Sequence, residues 1–315
     1  MGHRDEAALM IEVLLLAIAI DLLIGEPPAA IHPVVWMGRL ISFLYRCAPK
    51  GKRRLYGALM AVSCITASAL IGIASAYFAD TVPGMLVSAF LLKSTFSIRM
   101  LLGTAGSIGR ELEAGKIEAA RKSLLALVGR DTSNLDTSLA SSAVIESTAE
   151  NFVDGILSPL FYFVLLGLPG ALAFRAVNTL DSMVGYRREP FREIGYASAK
   201  LDDAANFIPG RLSLLFIALA SASGGALRTG LRDHALSPSP NSGWSMSAMA
   251  GALGVRLEKV GYYVLGAGYR EPVPKDIKRA VTTTGLASAA AVASVIAAAL
   301  PPTHSILTGY VQVMP

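Results

Sequence analysis

Three carboxylates stand at regular spacing in the middle of the chain. Glu146, Glu150 and Asp154 are four residues apart, so on a helix they fall within an arc of about 80°. Like charges at this spacing repel one another, and we expect a cation to meet them. Mg²⁺ is the natural candidate, because it takes carboxylate oxygens, keeps several waters and bridges to phosphates. The alternative is a solvated acidic face.

Two further polar blocks lie downstream. Asn178 and Asp181 follow an apolar stretch directly and can share one helical face. Asp202 and Asp203 are adjacent, with the amide of Asn206 shortly after them, and they make a second candidate site for a cation or a phosphate. Helix capping by Asp203 and Asn206 is the simpler alternative.

Anion-binding groups are found in the same third of the chain. The guanidinium of Arg211 is a planar fork suited to phosphate or carboxylate. Trp244 lies in a turn rich in Pro, Ser, Asn and Gly, where it either stacks on a ligand or anchors the chain at the membrane interface. The basic residues near the carboxylates are Arg130, Arg187, Arg188, Arg192 and Lys200. This mixture suits a phosphate-bearing substrate with its metal. The sequence has no P-loop motif, so a nucleotide would be held in another way.

Composition places these groups in a membrane protein. Of the 315 residues, 53% are hydrophobic and 16% are charged, whereas soluble domains carry about 25% charged residues. The net charge of +5 is typical of basic cytoplasmic loops. Because the aromatic residues are not interleaved with the basic ones, it does not indicate nucleic-acid binding. The two cysteines, Cys47 and Cys64, have no metal-ligand spacing.

Apolar segments long enough to cross a bilayer account for this composition. The segments are 7–24, 55–78, 82–102 and 280–300, with two shorter ones at 156–177 and 212–227. Basic residues precede 55–78 and 280–300, which predicts that these ends are cytoplasmic. The region of about 103–150 has the periodicity of amphipathic helices. We expect one membrane domain, 1–315, with a polar site region at about 129–251.

The segment 156–177 is interrupted by Gly167-Leu168-Pro169-Gly170, and each half is too short to cross a bilayer alone. A count of crossings places 178–211 on the opposite side of the membrane from 146–154, whereas the chemistry needs the two together. A re-entrant hairpin at Gly167–Gly170 resolves this conflict and is tolerated where it is buried in protein. The predicted fold is therefore an all-α polytopic membrane helical bundle with a re-entrant or broken helix and polar catalytic loops on one face.

Five motifs run in order through most of the chain. They are Asp21-x-x-x-Gly25-Glu26-Pro27 with His32-Pro33, Glu146-x-x-x-Glu150-Asn151-x-x-Asp154-Gly155, Asn178-Thr179-Leu180-Asp181-Ser182-Met183-x-Gly185-Tyr186, Leu201-Asp202-Asp203-x-x-Asn206-x-x-Pro209-x-Arg211 and Ser239-Pro240-Asn241-Ser242-Gly243-Trp244. In these motifs the sequence resembles the membrane-bound adenosylcobinamide-phosphate synthases of cobalamin biosynthesis, the CbiB/CobD family. Five motifs in one order are far more specific than any one of them.

The resemblance implies an ATP-dependent amide ligation. The family joins the propionate carboxylate of adenosylcobyric acid to the amine of an aminopropanol phosphate or a related amino-alcohol phosphate. A carboxylate must be activated before it acylates an amine, and phosphorylation by ATP with Mg²⁺ is the usual route. The implied partners are the corrinoid, the amino-alcohol phosphate, ATP and the lipid bilayer, with a second copy of the chain or other corrin-assembly enzymes as further candidates. The implied location is the cell membrane, with a cytoplasmic site.

Residue chemistry, rather than the resemblance, suggests individual roles. The predicted metal ligands are Glu146, Glu150, Asp154, Asp202 and Asp203. The predicted catalytic residues are Glu146, Glu150, Asp154 and Asp181, the last as the base that takes a proton from the attacking ammonium. The predicted substrate-binding residues are Arg130, Asn151, Asn178, Lys200, Asn206, Arg211, Asn241 and Trp244.

Two other functions fit parts of the pattern. Charged residues in apolar segments and a broken helix are also typical of a transporter, and a non-catalytic scaffold for corrinoids would need the same membrane anchor. Against a transporter, the polar blocks cluster on one side and no paired half-repeat is visible. ATP hydrolysis that depends on both the corrinoid acid and the amine would distinguish the ligase.

Overall fold

The computed structural model describes residues 6–129, 131–186 and 189–300. This part of the chain is helical apart from one short antiparallel hairpin, β1 (Leu257–Lys259) and β2 (Tyr263–Leu265), which confirms the predicted all-α class. The helices are α1 (Glu6–Leu23), α2 (Pro33–Arg46), α3 (Arg53–Tyr77), α4 (Val82–Lys93), α5 (Ile98–Glu113), α6 (Ile117–Leu124), α7 (Thr137–Phe152), α8 (Ser158–Val184), α9 (Tyr196–Ala205), α10 (Phe207–Ser221), α11 (Gly224–Asp233), α12 (Ser242–Leu253) and α13 (Pro274–Ala299). A π-helical turn, Val153–Leu157, joins α7 to α8.

Four helical stretches within the described residues are long and apolar enough to cross a membrane, and a fifth counts if one bent pair is taken together. They are α3, α4 with α5, α7 with α8, and α13; the bent pair, α9 with α10, turns by 43°. Large apolar side chains point outward along α3, where Leu59 and Leu70 are both more than half exposed. Such a surface suits lipid rather than water. The chain is a multi-pass membrane protein.

The helix α8 is a hairpin that reverses at Gly167. Its backbone there has φ +65° and ψ −159°, a conformation that is essentially restricted to glycine. The rings of Tyr162 and Phe174 stack with centroids 5.3 Å apart, although twelve residues of straight helix would separate them by about 18 Å. The predicted hairpin at Gly167–Gly170 is therefore present in the structure.

Both ends of this hairpin lie toward the basic end of α3. The hairpin tip contacts α3 at Gly72, where an added Cβ would lie 2.6 Å from the Cα of Pro169. Ile194, which follows the returning arm, contacts α3 at Gly57 instead. Gly57 and Gly72 are fifteen residues apart, or about 22 Å along a helix. The arms enter and leave on the side of Arg53, which is the side that the basic residues predict to be cytoplasmic.

The predicted span 82–102 falls within the candidate span Val82–Glu113, which a break divides into α4 and α5. A carboxylate from α1 causes the break: Asp21 Oδ2 accepts hydrogen bonds from the backbone N–H groups of Ile98 (3.1 Å) and Arg99 (3.0 Å) and so starts a new helix. The Ser97 N–H bonds to Gly155 O at 3.1 Å. The hydrogen bonds at this break thus connect the start of α5 to both α1 and the π-helical turn.

The predicted apolar segment 212–227 is not one continuous helix. The helix α10 ends at Ser221, and Ala222 has φ +48°, a left-handed conformation that stops a helix. Gly225 then lies against the backbone of Gly251, so α11 packs closely on α12. These close contacts between small residues turn the chain back instead of letting it continue outward.

The helix α7 is the centre of the part that holds the polar motifs. Its residues from Ala140 to Ala149 are all buried, packed among α5, α12, α13 and β1. The amphipathic helices predicted for 103–150 cover it: Ile108 of α5 and Leu124 of α6 are fully buried in the same core. A helix enclosed in this way holds the side chains at its far end in defined positions.

Candidate active site

The π-helical turn Val153–Leu157 begins one residue before Asp154. Glu146 and Glu150 lie on α7, whereas Asp154 lies in the turn that follows it. Glu150 lines a pocket with Glu146 and interacts electrostatically with Asp154. The expectation that the three carboxylates meet one cation stays a prediction.

Glu146 faces the β-hairpin. It is 5% exposed, and its carboxylate accepts hydrogen bonds from Ser142 Oγ at 2.7 Å and Tyr263 OH at 2.6 Å. A pocket of about 190 Å³ lies beside it, lined also by Glu150 and Lys259. Glu146 therefore lines this pocket and lies at the interface between α7 and the β-hairpin.

Three aspartates converge from three segments of the chain. Asp154 comes from the π-helical turn, Asp181 from the returning arm of α8 and Asp202 from α9, and each acts electrostatically on another member of the group. All three side chains are half-buried. The hairpin at Gly167 is what brings Asp154 and Asp181 together, because a straight helix would place them about 40 Å apart. We call this group the aspartate cluster.

Amide and hydroxyl side chains hold the aspartate cluster in place. Asn206 is 1% exposed at the bend between α9 and α10; its Nδ2 donates to Asp202 Oδ2 at 3.0 Å, and its Oδ1 accepts from Ser158 Oγ at 2.6 Å. Asn178 also interacts with Asp202. The other oxygen, Asp202 Oδ1, is buried without a hydrogen-bond partner among the described residues. Predicted residues from separate motifs are thus joined in one network.

Gly185 allows Asp181 to sit where it does. A side chain at Gly185 would collide with the carboxylate and the backbone carbonyl of Asp181. The helix α8 ends here, with the Gly185 N–H bonded to Asp181 O at 2.7 Å. The glycine of this motif therefore has a steric role beside a candidate catalytic carboxylate.

The structure fits a hydrated Mg²⁺ better than a bare ion. Within the described residues, no three carboxylate, histidine or cysteine side chains are placed to hold a metal by themselves. Mg²⁺ does not need such a cage, since it is usually bound by one or two carboxylates together with waters and substrate phosphates. Asp154 and Asp202, with the unpartnered Asp202 Oδ1, suit that mode. The magnesium site remains a prediction.

The predicted phosphate-binding residues are mostly engaged elsewhere. Lys200 is 59% exposed and pairs with Asp203, Nζ to Oδ2, at 3.4 Å. Arg211 donates from Nη1 to Phe207 O at 2.6 Å, and its guanidinium lies 3.5 Å from the centroid of the Phe207 ring. Arg130 lies outside the described residues. Their roles toward phosphate stay predictions.

The remaining predicted substrate-binding residues are Asn241, Trp244 and Asn151, and each has a partner within the protein. Asn241 is 5% exposed, and its Nδ2 donates to Asp203 O at 2.7 Å, which ties α12 to α9. Trp244 stacks on His234 with ring centroids 3.7 Å apart. Asn151 Nδ2 donates to the carbonyl of its own helix at Ser147, at 2.9 Å. Asn241 supports the site, whereas one face of Trp244 is already covered by a ring of the protein.

A second charged group beside the site was not predicted as functional. Lys93 is fully buried, and its Nζ lies 2.6 Å from Glu26 Oε1 and 3.2 Å from Asp21 Oδ1. His32 Nδ1 accepts from the backbone N–H of Val34 at 3.2 Å, so its Nε2 donates to Glu26 Oε2 at 3.0 Å. We call this the lysine cluster. A signal was available, because a lysine inside an apolar segment requires a partner.

The lysine cluster changes the titration of Glu26. Burial by itself raises the pKa of this carboxyl, but hydrogen bonds from His32, Lys93 and Ser97 outweigh burial, and the pKa falls from 4.5 to about 2. Glu26 is therefore ionised at any ordinary pH. Its negative charge acts electrostatically on Arg175, which also interacts with Asp154. Arg175 thus interacts with one residue of the lysine cluster and with Asp154.

The sequence is similar to known proteins over most of its length. The profile of the family described as CobD/Cbib protein matches residues 14–293. The chain is 44% identical to the "Probable cobalamin biosynthesis protein CobD" of Methanothrix thermoacetophila over 294 residues, which are 87% of this chain and 92% of that one. It is 40% identical to the "Cobalamin biosynthesis protein CobD" of Klebsiella pneumoniae over 295 residues, 87% of this chain and 92% of that one. No solved structure matches it.

A relative with the other family name shows the same breadth of similarity. The "Cobalamin biosynthesis protein CbiB" of Salmonella typhimurium is 38% identical over 304 residues, which cover 90% of this chain and 95% of that one. The matched region includes both charged clusters and the hairpin. The chain therefore belongs to the CobD/CbiB family of cobalamin biosynthesis proteins.

Proposed function

We propose that this chain is an adenosylcobinamide-phosphate synthase. It would join the propionate carboxylate of adenosylcobyric acid to the amine of an aminopropanol phosphate, or a related amino-alcohol phosphate, with hydrolysis of ATP. The observation that carries the proposal is the convergence of Asp154, Asp181 and Asp202 from three separate segments in a chain of the CobD/CbiB family. Carboxylates gathered in a half-buried site mark a place for cations and proton transfer.

The reaction divides into two balanced steps. The propionate oxygen attacks the γ-phosphorus of ATP, which forms an acyl phosphate and releases ADP. The amine then attacks the acyl carbon, the C–N bond forms, and inorganic phosphate leaves while the nitrogen loses a proton. Mg²⁺, when bound, would neutralise charge on the phosphoryl oxygens. In this scheme Asp154 and Asp202 hold that ion and Asp181 takes the proton.

The supporting amides suit substrate orientation. Asn206 hydrogen-bonds one oxygen of Asp202 and so sets the direction of the other, while Asn178 interacts with the same carboxyl. Ser158 in turn sets Asn206. A site that positions its carboxylates through buried hydrogen bonds is pre-organised, which is where most of the rate enhancement in phosphoryl transfer arises. We place the site on the cytoplasmic side of the cell membrane, because the hairpin opens toward the basic end of α3.

The test is a defined reconstitution in nanodiscs with adenosylcobyric acid, aminopropanol phosphate, ATP and Mg²⁺, followed by mass spectrometry of the corrinoid. We expect amide product and ADP in equal amounts, with no ADP when the acid is omitted and at most one ADP per protein when the amine is omitted. Asp202→Asn should lower the rate at least about 100-fold, whereas the exposed Glu193→Gln should not change it. Product formed without ATP, or full activity of Asp202→Asn, would contradict the proposal. Corrinoid uptake into liposomes without product would favour a transporter.

A further inference from the structure

The returning arm of the hairpin carries a guanidinium with few partners. Within the described residues, the hydrogen bond of Arg175 is from Nη1 to Asn178 Oδ1, at 3.4 Å, and its Nε is buried with no partner. A guanidinium has five N–H donors. A buried donor left unpaired lowers stability, so this position needs a reason.

The charges around Arg175 supply that reason. In the lysine cluster, Asp21 and Glu26 carry two negative charges against the single positive charge of Lys93, so Arg175 brings the group to balance. Arg175 also interacts electrostatically with Asp154 of the aspartate cluster. The guanidinium is therefore close enough to both clusters to act on a carboxylate in each.

Arg175 also differs from the other cations of the region. The Lys200 ammonium pairs with Asp203 at the surface, and the Arg211 guanidinium is covered by the Phe207 ring. A planar guanidinium binds phosphate or carboxylate through two parallel hydrogen bonds, a geometry that lysine does not reproduce. The carboxylates of the aspartate cluster repel an anion that binds to Arg175. We therefore expect the anion to bind only together with Mg²⁺, which offsets this repulsion.

We infer that Arg175 forms an oxyanion-binding site at the edge of the aspartate cluster, for a phosphoryl or carboxylate group, and that Glu26 is a positioning residue that attracts its guanidinium by charge. Glu26 suits this role because Lys93 and His32 orient both of its oxygens. The inference deepens the proposed function by naming the anion-binding residue of the same site. It requires anion binding but not the ligation reaction.

The experiment measures inorganic phosphate binding by the purified full-length protein in detergent, from the rise in melting temperature at increasing phosphate, with and without Mg²⁺. We expect wild type to bind phosphate only when Mg²⁺ is present. Arg175→Lys should weaken phosphate binding at least about tenfold while the protein remains folded. The control is Arg228→Lys, an exposed arginine on α11, which should bind as wild type does.

The variant Glu26→Gln distinguishes a role in positioning the Arg175 guanidinium from a general loss of stability. We expect it to weaken phosphate binding several-fold while Mg²⁺ alone still raises the melting temperature as in wild type; a merely structural defect would lower both. Unchanged phosphate binding in Arg175→Lys overturns the inference. If phosphate binding depends on Arg175 but no amide forms with the full substrate set, the proposed function fails and this inference stands. If amide forms but phosphate binding does not depend on Arg175, the proposed function stands and the oxyanion site is ruled out.

Discussion

The lysine cluster and the aspartate cluster lie in the same apolar bundle, yet they are built in opposite ways. In the first, Asp21 and Lys93 are fully buried and every charge faces an opposite charge at hydrogen-bond distance. In the second, Asp154, Asp181 and Asp202 act on one another with like charge and remain half-buried. In the first group each charge has an opposite charge beside it, and Arg175 acts on Glu26 as well; in the second group carboxylates gather, and we propose that a cation binds there.

This difference separates a structural role from a chemical one. A buried ion pair contributes little net stability, but removing one partner costs much because the other charge is left uncompensated. The lysine cluster also starts α5 through Asp21, so its integrity sets the helix break. A group of like charges instead stores repulsion that a bound cation can relieve, as is common at functional sites. Substitutions in the two clusters should therefore act in opposite directions on stability.

The largest effect is expected for Lys93→Met. This change removes the ammonium that pairs with the buried Asp21 and the half-buried Glu26, and the free energy of unfolding should fall by about 3–5 kcal/mol. Thermal unfolding in detergent measures it, with the surface variant Lys50→Met as control. A melting temperature like that of wild type would mean that the lysine cluster is not the structural one.

The next effect is a pH dependence from Glu26. Its pKa is lowered from 4.5 to about 2 in the folded protein, so its stabilising contribution is complete above pH 4.5 and is lost as pH falls toward 2. The size is on the order of 2 kcal/mol. Unfolding of wild type and Glu26→Gln should be compared across this range. The difference in stability between them should shrink as the pH falls, and a constant difference would contradict the assignment.

A smaller gain is expected when Mg²⁺ binds the aspartate cluster. An ion that binds only the folded protein stabilises it by about 1.4 kcal/mol at ten times its dissociation constant. The melting temperature of wild type should therefore rise with Mg²⁺. Asp154→Asn should not respond, and Lys50→Met should respond as wild type does. An equal rise in Asp154→Asn would place the ion elsewhere.

The smallest change in stability is expected for Asp202→Asn. Removing one of three like charges relieves repulsion, while the asparagine still accepts the hydrogen bond from Asn206, so stability should stay the same or rise by less than about 1 kcal/mol. Chemical unfolding in detergent measures this. A loss comparable to that of Lys93→Met would show that the two clusters do not differ in the way described.

Several features of the fold could be predicted because they depend on local sequence. The apolar run predicted at 55–78 became α3, Arg53–Tyr77, since a bilayer needs a fixed length of apolar helix. The hairpin at Gly167 followed from a glycine and a proline that interrupt a segment too short to cross twice. The motifs with Asp154, Asp181 and Asp202 were also recognised as candidate site residues.

Other features depend on contacts between distant segments. The break between α4 and α5 arises because Asp21 caps a helix 77 residues away, and no local pattern in 82–102 shows it. The π-helical turn at Asp154 is not indicated by the spacing of Glu146, Glu150 and Asp154, which is that of a regular helix. The interest of Arg175 depends on its interaction with both Glu26 and Asp154, which come from distant parts of the sequence.

The sequence by itself determined that this is a helical membrane protein of the CobD/CbiB family and which segments carry its polar chemistry. These properties follow from composition, hydrophobic length and motif order, which are read along the chain. Only the tertiary structure decided which charges pair and which remain for a ligand. Charge pairing depends on distances in space, and in this protein Lys93 meets Glu26 across 67 residues while Asp202 keeps an oxygen without a described partner.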